Sequence, residues 1–235
     1  MRQRLLSIGL AIGIAAFSHL PGHTADAIWL DQYNALFYLG IFRLDAELKA
    51  MKATGANTLL LHADAMPSPV VRFIAWRARE SAAMDTVAWI QKPNRLNLSR
   101  AAGFAGIKAV QIDDHFFNKP PLAIEELKTR LGKKELWCSF QPRQFNRQTA
   151  AICDQTDIQI YRKSCGETLD IAWNMGIIGQ PKIAVATYAD GSQKGDAQVR
   201  CLEKNLTRLG NKLFVFKWKN QETWSKHLWN IVYHR

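Results

Sequence analysis

Neither of the usual glycine cradles for nucleotide phosphates, Gly-x-Gly-x-x-Gly or Gly-x4-Gly-Lys-Ser/Thr, occurs in the 235 residues. Beyond Phe17 no apolar run approaches the roughly 20 residues that cross hydrocarbon. Four cysteines are present, Cys138, Cys153, Cys165 and Cys201. They show neither Cys-x-x-Cys nor histidine-rich spacing, which argues against zinc. Acidic residues are scarce, 20 against 31 Lys and Arg, for a net charge of +11. Such an excess concentrates anionic partners. Nucleic acid has only the charge behind it, because the tryptophans and tyrosines fall at strand ends and core faces and form no basic stacking platform. If the chain is exported, the expected partner is a polysaccharide, an anionic one by the charge, and no nucleic acid. A merely solvated basic surface is the alternative. No low-complexity segment or linker divides the chain, and 48% hydrophobic with 22% charged residues suits one large core.

The N-terminus reads as an address. Arg2 and Arg4 precede an apolar run from Leu5 to Phe17, then Pro21 and Gly22, then the small-x-small site Ala25-Asp26-Ala27. The run is too short to span a bilayer, so a cleaved signal peptide over residues 1–27 is expected rather than an anchor, with no membrane span after its removal. The product, residues 28–235, would be secreted or periplasmic. In an oxidising compartment one or two disulfides become available. Cys165 and Cys201 fall near the same end of adjacent units, which favours that pairing; four free thiols is the other reading.

Periodicity organises the rest. Apolar, β-compatible runs at Ala27 to Asp31, Asn57 to Asp64, Thr86 to Gln91, Ile107 to Phe117, Glu135 to Phe140, Asp157 to Tyr161, Lys182 to Tyr188 and Lys212 to Trp218 predict strands. Between them lie helical patterns at Leu44 to Thr54, Pro67 to Ala83, Asn97 to Phe104, Pro121 to Leu131, Asn146 to Asp154, Leu169 to Met175 and Asp196 to Leu209, with a last one at Glu222 to Tyr233. The segment holding Tyr33 and Phe37 is expected as a loop. Eight strands alternating with helices across short glycine-bearing turns predict a compact, single-domain (β/α)8 TIM barrel.

Active sites of such barrels gather at the C-terminal strand ends. The polar residues there are Asp31, then His62 and Asp64, Gln91, and Gln111, Asp113, Asp114 and His115. Ser139 and Gln141, Gln159 and Tyr161, Tyr188 and Asp190, and Lys217, Trp218 and Glu222 complete the mouth. Aromatic faces, amides and carboxylates in one place are what a sugar requires, and a pair of carboxyls cleaves glycosidic bonds. His62 and His115 with Asp113 resemble a ligand set for a divalent ion, but such clusters commonly only hydrogen-bond, so no metal and no cofactor is expected. Strand alternation turns Gln111 and Asp113 into the barrel together and leaves Asp114 outside or at the start of the loop.

The pieces IWLD, LDAELKAMKATGANTLLLHAD, AWIQKPNR, AVQIDDHF, SFQPRQFNRQ, IQIYR and FVFKWKNQETW resemble, in this order, the glycosyl hydrolase-like family ten of bacteria. QIDDHF, against that family's Gly-Ile-Gln-Ile-Asp-Asp-His-Phe, and IQIYR are the most specific, and the resemblance covers nearly all of residues 28–235. It implies a (β/α)8 barrel hydrolysing O-glycosidic bonds of an exopolysaccharide or wall glycan. The family is similar in turn to amylase-like barrels, whose fourth strand ends Arg-x-Asp with the aspartate as nucleophile. That motif overlays on Gln111-Ile112-Asp113, with glutamine for arginine. Where those barrels carry a general acid on strand five, this chain has Ser139, Gln141 and Arg143. Glu222 matches the glutamate of the family's Tyr-Glu-Ser/Thr-Leu-Trp ending, with two residues inserted. The resemblance thus implies Asp113 as nucleophile or base and Glu222 as acid, with Asp64 the second candidate. His62, Asp64, Gln91, Gln111, Asp114, His115, Gln159, Tyr161 and Trp218 are expected to bind sugar. The missing strand-five acid, the short chain and the basic charge favour an alternative, a barrel that binds anionic glycan without cutting it.

Overall fold

Burial on both faces makes strands of the short apolar runs: every residue of β1 (Ala27–Leu30) and of β2 (Thr58–His62) is buried. This is the signature of a parallel sheet covered by helices. The computed structural model describes residues 25–117, 121–189 and 193–216. After β1 come α1 (Gln32–Gly40), α2 (Leu44–Ala53), β2, α3 (Ser68–Ala82), β3 (Asp85–Ile90), α4 (Arg95–Ala102) and β4 (Ile107–Ile112). The chain continues through α5 (Pro121–Leu131), β5 (Glu135–Phe140), α6 (Arg147–Ile152), β6 (Gln155–Gln159), α7 (Cys165–Asn174), β7 (Ile183–Tyr188), α8 (Gln193–Arg208) and β8 (Leu213–Phe216). The eight strands pair in parallel in sequence order and close into a barrel, with Ala27 of β1 beside Phe214 of β8. The expected TIM barrel is the observed one. Among the described residues no helix is long and apolar enough to cross a membrane.

Strand alternation divides the core in two. Leu59, Leu61, Ala88, Ile90, Val110 and Ile112 pack outward under the helices. Trp29, Leu60, Val87, Trp89, Trp137 and Phe214 fill the interior, and Ala27, Ala109, Ala184 and Ala186 leave room for the rings. Trp137 stacks on Phe214 at 5.8 Å, and Trp29 meets Phe214 edge-on at 5.7 Å. The barrel is a packed plug, not a pore.

Three local differences from the expectation have identifiable causes. The segment expected as a loop is helix α1, because Asp31 caps it by accepting from Asn34 N at 2.8 Å. Helix α7 begins at Cys165 and not Leu169, since Ser164 and Glu167 form a reciprocal capping box. Strand β6 occupies 155–159 and not 157–161, so Asp157 lies at mid-strand.

The boundary expected at residue 27 falls inside β1. Asp26 donates its N–H to Leu213 O at 2.8 Å, its carboxylate accepts from Leu213 N at 2.8 Å, and its carbonyl accepts from Asn57 and Thr58. Residues 25–27 therefore belong to the barrel. Residues 1–24 of the expected signal, and the last helix expected at 222–233, lie outside the described residues.

Two disulfides bind the helical shell to itself and to the sheet. Cys138 of β5 joins Cys153 after α6, and Cys165 at the start of α7 joins Cys201 of α8, with Cα separations of 6.0 and 6.1 Å.

Candidate functional site

The C-terminal strand ends enclose a small pocket of about 180 Å³. Its apolar wall is Trp29, Trp89, Tyr161 and Phe216, and its polar wall is Gln91, Asp113, Asp114, His115, Gln141 and Gln159. Phe216 holds the rings together, with centroids 5.9 Å from Trp29, 5.8 Å from Trp89 and 5.8 Å from Tyr161. Among the described residues the buried Trp89 Nε1 has no hydrogen-bond partner.

Strand β4 ends at Ile112, and Asp113 is the next residue, 4% exposed. Its backbone is extended and its Oδ1 accepts from Asp114 N at 2.9 Å, capping the 3-10 turn Asp114–Phe116. Oδ1 also accepts from Gln159 Nε2 at 3.2 Å. Burial pushes the Asp113 carboxyl up to about 6, and the neighbouring Asp114 charge adds to this.

Asp114 stands at the start of the turn after β4, one of the two expected places, but its side chain comes back inward. It is 2% exposed and lines the pocket, with Oδ1 on His115 Nδ1 and Oδ2 accepting from Gln141 Nε2. The strand has already given way to a 3-10 turn, so the period-two rule no longer governs it. His115 is mostly exposed, and its bond to Asp114 raises its pKa. Ligand atoms of Asp113, Asp114 and His115 lie within 4.8 Å of one another.

Below Asp113 lies a network that the sequence reading missed. Gln111, fully buried as alternation predicted, accepts from Trp29 Nε1 at 3.0 Å and donates to Asp157 Oδ1 at 2.5 Å. Ser139 lies 2.7 Å from Asp157 Oδ2, and Gln159 Nε2 donates to Ser139 Oγ at 2.6 Å. Burial pushes Asp157 up to about 8, with the negative Asp113 adding to it against the hydrogen bonds that Ser139 and Gln111 would give its charged form. Asp157 shares parity with Gln159, but the apolar pattern sets the strand two residues too late and puts Asp157 at its start.

The structure gathers Gln91, Asp113, Asp114, His115, Gln159 and Tyr161 around the pocket and puts Gln111 beneath it. His62 and Asp64 stand outside its lining. His62 packs on Trp89 with ring centroids 4.2 Å apart and bonds Gln32 and Asp64. Asp64 accepts from the Lys92 and Gln91 amides and so ties the β2 end to the β3 end. Burial pushes Asp64 up, but His62 and those amides outweigh it and hold the carboxyl below its ordinary value. Trp218, Glu222, Lys217 and Asp190 lie outside the described residues. Trp29, Trp89 and Phe216 join the wall unforeseen as binding residues, and Gln141, expected at the mouth, lines it as well. Trp29 and Trp89 were legible from alternation, sharing parity with Ala27 and Gln91.

A closed eight-stranded barrel with its polar groups at the C-terminal strand ends defines the class of (β/α)8 proteins. Among solved structures, the glycoside hydrolase family 17 β-1,3-glucanosyltransferase from Rhizomucor miehei is similar, with a TM-score of 0.56, 11% identity, 82% of this chain and 86% of that chain covered. An active-site mutant of the Rhizomucor miehei β-1,3-glucanosyltransferase in complex with laminaritriose gives 0.59 and 8%, covering 84% and 86%. A putative dihydrodipicolinate synthase family protein from Coccidioides immitis gives 0.51 and 10%, covering 90% and 73%. At these identities the likeness is one of fold. No family model matches the chain, and no curated protein matches it.

Proposed function

We propose that this chain is an exported glycoside hydrolase that cleaves O-glycosidic bonds of a bacterial exopolysaccharide or cell-wall glycan. One observation carries the reading: a buried carboxyl, Asp113, raised to about 6, faces a pocket walled by four aromatic rings. Rings of this kind stack on the apolar face of a pyranose, and the amides of Gln91, Gln141 and Gln159 suit its hydroxyls. The volume, about 180 Å³, is below the ~300–1,000 Å³ of sites for larger ligands and fits the end of a chain, one sugar deep.

Of the roles open to Asp113, the raised value favours proton transfer, as general base, over a permanently ionised nucleophile. Glu222 is the proposed acid. The separation of the two carboxyls then decides the stereochemistry, roughly 5 Å for retention and ~6.5–9.5 Å for inversion. The family-ten motifs and the similarity in fold to glucan-acting barrels support the assignment. The basic charge suits an anionic polymer held outside the pocket. Export by the N-terminal segment completes the proposal, with its removal upstream of Ala25 so that Asp26 keeps its bonds.

A glycan panel tests the reading by scoring binding and reducing-end release together. Asp113→Asn is expected to abolish release while binding persists; full turnover by that variant would exclude Asp113. A second reading, binding without cleavage, is favoured by the strand-five end, where Ser139 and Gln141 stand and no carboxyl does. Binding with no new ends on any ligand selects it.

A further inference from the structure

Asp157 is 1% exposed and has no place in the chemistry proposed above. Its neighbours dictate where its proton sits. The Trp29 indole has a hydrogen to give and none to accept, so the Gln111 atom 3.0 Å from it is the carbonyl oxygen. The Gln111 nitrogen is then the atom that reaches Asp157 Oδ1, at 2.5 Å. Oδ1 is an acceptor, and a proton on this acid belongs on Oδ2, 2.7 Å from Ser139 Oγ. One hydrogen of Gln159 Nε2 goes to Ser139 Oγ at 2.6 Å and the other to Asp113 Oδ1 at 3.2 Å.

The charges that act on Asp157 are Asp113 and Asp114 from the β4 end, both negative. Tyr161, two residues beyond the end of its own strand, feels its charge. Its partner on β5 is Ser139 and on β7 Ala184, both uncharged. Among the described residues no Lys, Arg or His pairs with it. A carboxylate buried without a cation is costly, and the neutral acid is the form that escapes this cost.

We propose that Asp157 is a positioning residue: an un-ionised acid that gives its Oδ2 hydrogen to Ser139, thereby orders the Gln159 amide, and holds Asp113 with Oδ1 as acceptor and Oδ2 as the reacting oxygen. Its functional meaning rests on Asp113 being the reacting carboxyl. The order itself is independent of any substrate, so a failed hydrolase reading leaves it intact, and its own failure leaves that reading standing.

The test is carboxyl 13C NMR titration of the folded full chain as wild type, Asp157→Asn and Asp157→Ala. Asparagine keeps an acceptor toward Gln111 and a donor toward Ser139, and alanine keeps neither. The wild type is expected to show a carboxyl titrating at about 8, absent from both variants. Asp113 should stay within about 0.5 pH unit of the wild type in Asp157→Asn and rise by about 1 unit in Asp157→Ala, where the Gln159 donor is released. A wild type without a carboxyl titrating above pH 7, or an asparagine variant that moves Asp113 as far as alanine does, overturns the proposal. If Asp157→Ala does not fold, the wild-type and asparagine titrations decide it alone.

Discussion

Gln159 Nε2 lies 3.2 Å from Asp113 Oδ1 and joins the ends of β6 and β4 across the strand between them. A donor to a carboxylate favours the charged form. Gln159→Leu is therefore expected to move Asp113 upward from about 6, and with it the acidic limb of any glycan-cleaving activity. The pH profile of turnover, or the Asp113 carboxyl resonance, checks this; a downward move contradicts the arrangement.

Asp113 and Asp157 keep their protons to about 6 and about 8 when folded, against 3.8 for an ordinary aspartate. Above 3.8 the folded chain thus holds more protons than the unfolded one, so stability falls as pH rises, until the benefit is lost above about 8. His115, raised by Asp114, acts in the same direction. Asp45, Asp64 and Asp154, held below their ordinary value, act oppositely, but only as pH falls below 3.8. The melting temperature is expected to decline from pH 5 to pH 8, and Asp157→Asn to flatten much of that decline. Thermal melts followed by circular dichroism read it directly; a wild-type melting temperature that climbs over this range would contradict the burial of Asp157.

The disulfides close loops of 15 and 36 residues. Chain entropy assigns them about 3 and about 4 kcal/mol. Replacing Cys165 and Cys201 together by serine should cost slightly more stability than replacing Cys138 and Cys153, and each pair should lower the melting temperature by roughly 2–4 °C per kcal/mol. Calorimetry with and without reductant measures both.

A chain starting at residue 28 loses the four hydrogen bonds of Asp26 to Leu213, Asn57 and Thr58, each worth about 1 kcal/mol net. It should unfold at lower denaturant than one starting at residue 25. Equal midpoints would show that β1 needs no support from Asp26.

The barrel was legible because its determinants are local. Apolar runs buried on both faces recur through eight strands with helical spacing between them, and glycines such as Gly106 at φ 77 and Gly132 at φ 62 make several of the turns. The inward turn of Gln111 and Asp113 was legible for the same reason, since it follows from strand parity alone. Where a local signal was passed over, as with the Ser164–Glu167 capping box or the Asp31 cap, an element was mislaid by a few residues or taken for a loop.

The order of elements and the polar strand ends were thus written in the sequence itself, because hydrophobic period and capping chemistry act over a few residues. Which carboxyls share a site was decided only by closure of the barrel. Parity breaks down after Ile112, where the backbone turns into a 3-10 coil and brings Asp114 back to the pocket beside Asp113. Asp157, 44 residues from Asp113 in the numbering, comes beneath it only because β4, β5 and β6 run parallel in register. The protonation of these acids has the same origin: burial and the charge of distant neighbours are properties of the closed fold, and no short stretch of chain carries them.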